Sequence, residues 1–317
     1  MSAPIRSSRV WSALSGVPVP DSLIPADVRH RLKGLSLVAR RTVGDRGIGL
    51  HASHSRGTGL EFAQYRPYEF GDEPRQIDWK LYARSDRFFV REAERESPVA
   101  LWILLDASAS MAQADARRPH YARLDAAKGL VAAMAELALA QGDRFAFAAL
   151  RDTGLALTRP ASGTRHRDRL HLDLHTLAAS GGFPDDAKLA PLWERIGQRD
   201  LVVILSDWFD PACLDLARRL SAAGREVLGI QILTVGERDF DYDGGYRFRD
   251  PETGEELLGD GAALCAEYLT RFAEAKAGLH AALDAAGIRH AELVLDQPLD
   301  TPLQRLFGRI GNRAGGE

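Results

Sequence analysis

The sequence predicts an α/β fold, a mostly parallel sheet flanked by helices, joined to an N-terminal subdomain rich in strands and loops. Three observations point there. Two uninterrupted apolar runs, Val99–Asp106 and Leu201–Asp207, suit strands buried on both faces, as in a parallel sheet. Each run ends in an acid. Helical patterns separate these runs from further strand candidates, and strand alternating with helix is the mark of crossover topology.

In chain order, residues 1–29 read as an N-terminal arm. Arg6 and Arg9 precede Val10–Val19, but Ser12, Ser15, Gly16 and Pro18 break that stretch and make it a poor signal-peptide core. Residues 30–97 read as the N-terminal subdomain. Between Ser55 and Arg91 the chain is dense in Gly, Arg, Asp and aromatics without a long periodic segment, which suits short strands and structured loops. Residues 98–312 read as the α/β domain. Its first strand, Val99–Asp106, is followed by a helix over Ala122–Gln141, with apolar Leu130, Met134, Leu137 and Ala138 and a stop at Gly142. Arg144–Leu150 is the next strand. Leu201–Asp207 leads to a helix over Pro211–Ala223 that ends at Gly224, then to a strand over Val227–Val235. An inserted hairpin is expected near 245–258, with Thr253-Gly254 at its centre. A helix over Leu264–Ala286, stopped by Gly287, leads into the last strand, Ala291–Leu295.

Composition narrows the function. The chain has 317 residues, 45% hydrophobic and 27% charged, fractions that argue against wholesale disorder. Lys+Arg 41 against Asp+Glu 44 leaves a net charge of −3, which excludes nucleic-acid binding driven by bulk positive charge. From Arg56 to Arg91 the charges are finely mixed, as in ion-paired loops or a polar partner surface. Trp79, Tyr65 and Tyr68 are expected to anchor those loops rather than to stack on bases. Cys213 and Cys265 read as reduced thiols, and the apolar runs fall far short of the ~20 residues a membrane-spanning helix needs. The expected location is the cytoplasm.

The sharpest chemical signal is Asp106-Ala-Ser108-Ala-Ser110-Met111, just past a strand and before a helix. Ligands of open α/β sheets bind at that edge. A carboxylate and two hydroxyls at alternate positions are hard oxygen donors, suited to Mg²⁺, and also to Mn²⁺ or Ca²⁺. Asp207, at the end of the other apolar run, faces the same crevice if the two strands are neighbours. Helix capping by Asp106 would explain one acid but not the coincidence of two.

This Asp-x-Ser-x-Ser pattern resembles the metal-ion-dependent adhesion site of von Willebrand factor A domains. Upstream, the block Arg56–Arg84 (RGTGLEFAQYRPYEFGDEPRQIDWKLYAR) is similar to the signature of the bacterial domain-of-unknown-function 58 family. The resemblance covers roughly residues 30 to 310. It implies a von Willebrand factor A-like domain in which Ser108 and Ser110 ligate an ion while Asp106 and Asp207 assist. It also implies a threonine ligand, but where the family tends to show Gly-Gly-Thr this chain reads Gly181-Gly182-Phe183-Pro184-Asp185-Asp186. Phe183 cannot ligate. Either Asp185, Asp186 or Ser180 substitutes, or the site is weak; the expected metal set is Asp106, Ser108, Ser110, Asp207 and Asp185. The resemblance further implies a non-enzymatic interaction module associated with a MoxR-type AAA+ ATPase or its client, in an assembly or chaperone-like role.

Other motifs carry less. Asp239-x-Asp241-x-Asp243-Gly244 with Asp250 at the twelfth position has EF-hand spacing, but its flanks read as extended, so a solvated turn is expected. His171 and His175 share a helix face without a third zinc ligand. His51 and His54 read as loop residues. The alternative function is a Mg²⁺-dependent phosphohydrolase of the haloacid-dehalogenase type, which needs an acid where Ser108 stands. Neither a phosphate-binding Gly-x-x-x-x-Gly-Lys loop nor a Gly-x-Ser-x-Gly nucleophile elbow occurs in the sequence.

Overall fold

A computed structural model of the chain describes residues 23–37, 62–68, 77, 79–93, 100–115, 117–240, 245–249 and 256–308. These form two compact units. The larger joins residues 23–37 to residues 100–308, and the smaller comprises the described residues between 62 and 93.

The larger unit is built on a six-stranded sheet. Its strands are β3 (Ala100–Asp106), β4 (Arg144–Leu150), β5 (Ala156–Leu157), β6 (Leu201–Ser206), β7 (Glu226–Leu233) and β10 (Arg289–Val294), in the spatial order β10-β7-β6-β3-β4-β5. All pairings are parallel except that of the short edge strand β5 with β4. Numbered from β3, this is the doubly wound order 3-2-1-4-5-6, whose switch point lies between the first and fourth strands. The switch point is therefore between β3, which ends at Asp106, and β6, which leads directly into Asp207. This is the mostly parallel sheet flanked by helices expected from the sequence.

The apolar runs are uninterrupted because both sheet faces are covered. Leu101, Ile103 and Leu105 of β3 point to one core, with helix α3 (Arg123–Gln141) and α4 (Thr164–Thr176). Ala100, Trp102 and Leu104 point to the other, with α5 (Asp186–Arg195) and α6 (Pro211–Ala222). Each large apolar side chain buried this way contributes about 1.5–3 kcal/mol. Trp102 is fully buried, and its indole N–H donates to Asp200 at 3.0 Å.

Helix α3 explains why the chain's early residues belong to this unit. It is rich in Ala and buried nearly all round, so it needs cover on the side away from the sheet. Residues 23–37, including α1 (Ala26–Arg31), supply part of that cover: Ile24, Val28, Leu32 and Leu37 are buried in the same core. Gly129 permits the approach, since a Cβ there would meet Leu299 at 2.7 Å and the Leu23 carbonyl at 2.9 Å. The sequence assigned residues 30–97 together; in the structure residues 30–37 pack with the α/β unit instead. The α3 helix ends at Gly142 in the left-handed region, as the stop at that glycine requires.

Past β7 the chain forms a short helix α7 (Val235–Asp239), the antiparallel pair β8 (Gly245–Arg249) and β9 (Glu256–Asp260), and the long α8 (Gly261–Ala285). The closing helix is α9 (Thr301–Phe307). In the smaller unit β1 (Phe62–Pro67) pairs antiparallel with β2 (Phe89–Ala93). A helix that the composition did not announce, α2 (Trp79–Ser85), stands between them. There Tyr82 stacks on Phe88 at 4.5 Å, with Trp79 edge-on to both. His51, His54 and much of the Arg56–Arg84 block lie outside the described residues. Among the described residues no helix is long and apolar enough to cross a membrane.

Candidate functional site at the switch point

Asp106 is the last residue of β3 and is 1% exposed. Its Oδ1 accepts the Ser108 backbone N–H at 2.9 Å, which folds the chain into a tight turn. Its Oδ2 accepts the Ser206 hydroxyl of the neighbouring strand at 2.7 Å. Burial first, and then the nearby Asp207 charge, push its carboxyl above the usual aspartate range. Beyond the turn, the Ser108 and Ser110 hydroxyl oxygens lie 3.1 Å apart.

Asp207 follows β6 and is also 1% exposed. Its Oδ2 accepts Arg123 Nη1 at 2.6 Å, and its Oδ1 accepts the Phe209 N–H at 3.1 Å. Arg123 is the first residue of α3. It also donates to the Ser110 carbonyl at 3.0 Å and to the Glu237 carboxylate. The turn that aims Asp207 at α3 passes through Trp208, a non-glycine residue at φ 64°. Its indole lies against Gly229 of β7 and donates to the Ile230 carbonyl at 3.2 Å. Phe209, next in the chain, is 50% exposed and lies 5.2 Å from the Arg123 guanidinium.

The third stretch of the rim is Ser180–Gly182. Ser180 N donates to the Ala107 carbonyl, Ala109 N to the Gly181 carbonyl and Asp152 N to the Gly182 carbonyl, at 2.7–2.9 Å. This sets the glycines over the ends of β3 and β4. The residue that follows, Phe183, turns away and is buried in the core beneath α5 and α6. Asp185 is spent elsewhere. It caps α5 through the Lys188 N–H at 3.0 Å and pairs with the Lys188 ammonium at 2.9 Å. Asp186 is exposed and pairs with Arg219.

The structure thus brings together Asp106, Ser108, Ser110 and Asp207, and leaves Asp185 out. Among the described residues no three His, Cys, Asp or Glu side chains form a metal-holding group. The donors here are chiefly hydroxyls. The two serine hydroxyls hydrogen-bond each other at 3.1 Å, a separation close to the roughly 3.0 Å between two cis ligands of an octahedral Mg²⁺. Ser108, Ser110 and Asp106 offer oxygen donors of the kind a hard cation takes, whereas Asp207 is already paired with Arg123.

Sequence reasoning missed Ser206, Arg123 and Glu237. One signal was available for Arg123: a cation in the first turn of a helix opposes the macrodipole and calls for a tertiary partner. Of the acidic cluster with EF-hand spacing, Asp239 ends α7 and pairs with Arg238, while Asp241, Asp243 and Asp250 lie outside the described residues. His171 sits on α4 with its Nε2 buried. The Cys213 thiol, buried beside Ser206, is pushed well up by desolvation and stays protonated.

Among proteins of known sequence, the chain is 28% identical over 246 residues to uncharacterized proteins of Mycobacterium tuberculosis (Rv1480) and Mycobacterium bovis (Mb1516), covering 74% of this chain and 76% of theirs. Solved structures similar to it include the conserved hypothetical protein BatB from Bacteroides thetaiotaomicron, at 13% identity and TM-score 0.37, covering 62% of this chain and 90% of that one. An aerotolerance-related membrane protein from Bacteroides fragilis gives 16%, 0.39, 66% and 96%, and the SpRpn10 VWA domain 17%, 0.37, 64% and 92%. Residues 64–278, more than half of the chain, match a single family description, and the chain belongs to that family, Protein of unknown function DUF58.

Proposed function

We propose that this chain is a non-enzymatic protein-interaction module of the cytoplasm, an adaptor for a MoxR-type AAA+ ATPase or its client. It receives a partner's carboxylate at the switch-point edge. The observation that carries this reading is the convergence of the Ser108 and Ser110 hydroxyls, 3.1 Å apart, with Asp106 behind them. A divalent ion held there by Ser108, Ser110 and Asp106 (Mg²⁺, Mn²⁺ or Ca²⁺) supplies an open coordination position for an Asp or Glu.

The chain's own residues do the rest. Asp106 fixes the turn that presents both hydroxyls. Ser180–Gly182 and Phe209 form the rim around the contact, and a charge interaction there strengthens as a bound partner excludes water. Two groups that an enzyme reading would call on do not suit it. Ser108 stands where a phosphohydrolase needs its acid, and the Cys213 thiol is buried and protonated.

Two measurements test this. Mg²⁺ at a hundredfold excess over Kd should stabilise the fold by about 2.7 kcal/mol, seen as a rise in Tm that Ser108→Ala abolishes. Calorimetric titration with the MoxR-type ATPase should give a complex that chelator and Ser108→Ala each weaken about tenfold or more, the loss of one strong polar contact. Unchanged affinity in both would move the contact away from this edge. Ser108→Ala is preferred to Asp106→Ala, which would orphan the Ser206 hydroxyl and the Ser108 N–H at about 1–3 kcal/mol.

A further inference from the structure

Arg123 is a fully desolvated cation at the rim of this edge, its side chain 2% exposed. Burying a guanidinium is costly, and placing it at a helix N-terminus adds to that cost, so it persists only against strong acceptors. It has them in Asp207 at 2.6 Å, Glu237 and the Ser110 carbonyl at 3.0 Å. The consequence falls on Asp207. Its Oδ2 takes Arg123, its Oδ1 takes the Phe209 N–H, and its backbone carbonyl takes the Gln231 side chain at 3.0 Å. Asp106 differs. It accepts from a hydroxyl and an N–H, and among the described residues no cationic side chain hydrogen-bonds to it; the Arg123 charge reaches it only through space.

We propose that Arg123 is the built-in counter-cation of this edge. It holds Asp207 in place and withholds it from any divalent ion, leaving that ion to Ser108, Ser110 and Asp106. Glu237 anchors the guanidinium from the far side. Glu237 is itself held in the first turn of α7, where Thr234 N–H donates to its Oε2 at 2.9 Å and its own N–H donates to the Thr234 hydroxyl at 3.1 Å. This makes Arg123 a positioning residue with a signed effect. Its charge repels a divalent ion nearby, so removing it should tighten metal binding, whereas a merely structural residue would loosen it. The proposal rests on the reading that this edge accepts a cation.

The test is calorimetry with MgCl₂, backed by Mg²⁺-dependent Tm, on the full chain and three variants. Arg123→Gln should bind about tenfold tighter than wild type, and adding Ser108→Ala to it should remove the gain. The charge-neutral pair Arg123→Gln/Asp207→Asn should bind within about threefold of wild type, because Asp207 does not serve the ion in the native chain. A folded Arg123→Gln with unchanged or weaker affinity overturns the proposal. Should that variant fail to fold, the neutral pair decides: affinity more than about threefold below wild type means that Asp207 does serve the ion, and the proposal falls. Binding by Arg123→Gln but not by wild type would leave Arg123's role standing and remove the ion from the proposed function of the native chain.

Discussion

At the scale of single residues, the edge depends on Trp208. A left-handed backbone costs an L-residue about 1–2 kcal/mol, and here it turns Asp207 inward toward Arg123 while leaving Phe209 exposed. The conformation is over-determined. The Trp208 N–H donates to the Ser206 hydroxyl at 2.9 Å, the indole N–H donates to Ile230, and the ring fills the space over Gly229. A Cβ on Gly229 would come within 2.8 Å of the indole. Gly229→Ala should therefore destabilise the fold by about 1–3 kcal/mol, the cost of overpacking. A urea midpoint equal to that of wild type would show that the indole relaxes freely and that the turn is not held this way.

At the scale of elements, α8 lies against β10 through a pair of histidines. His280 of α8 and His290 of β10 have ring centroids 4.3 Å apart. Burial first, and then the neighbouring His290 and Lys276, hold His280 below the ordinary histidine value of 6.5. The folded state thus keeps this ring neutral where the unfolded chain protonates it. Stability is fully present above pH 6.5 and is lost as pH falls from there through the folded value. His171, lowered by its own burial, adds a slope of the same sign. Replacing His280 with Leu should flatten, without abolishing, the fall of the urea midpoint between pH 7 and pH 5. An unaltered slope would assign the dependence to other groups.

At the scale of the whole molecule, the buried apolar cores of the described residues draw on residues 24–37 and 100–307. The larger unit should fold without the smaller one. A chain in which residues 42–98 are replaced by a Gly/Ser linker should keep a native far-UV spectrum and a single cooperative unfolding transition. A broad, non-cooperative transition would mean that the sheet needs the excised residues. Such a chain also separates the two candidate partner surfaces. If it still binds the ATPase in a Ser108-dependent way, recognition resides at the switch point rather than in the charge-mixed segment from Arg56 to Arg91.

The sequence by itself determined the long strands of the sheet and half of the edge. Strands buried on both faces must be continuously apolar, so Ala100–Asp106 and Leu201–Ser206 announce themselves within a residue or two. Glycine alone enters the left-handed region cheaply, so Gly142, Gly224 and Gly287 mark helix ends. Asp106, Ser108 and Ser110 were legible because their spacing is local. Only the tertiary structure decided what depends on neighbours distant in sequence. It set residues 23–37 over α3, whose all-round apolar surface does not say what covers it. It sent Phe183 into the core and Asp185 to a helix cap, although adjacent positions gave both a claim on the site. It brought Arg123 from α3 to Asp207, 84 residues further along. A charge pair of that kind leaves no period or motif in the sequence, because its energy comes from desolvation and proximity, and both exist only once the sheet has placed α3 beside β6.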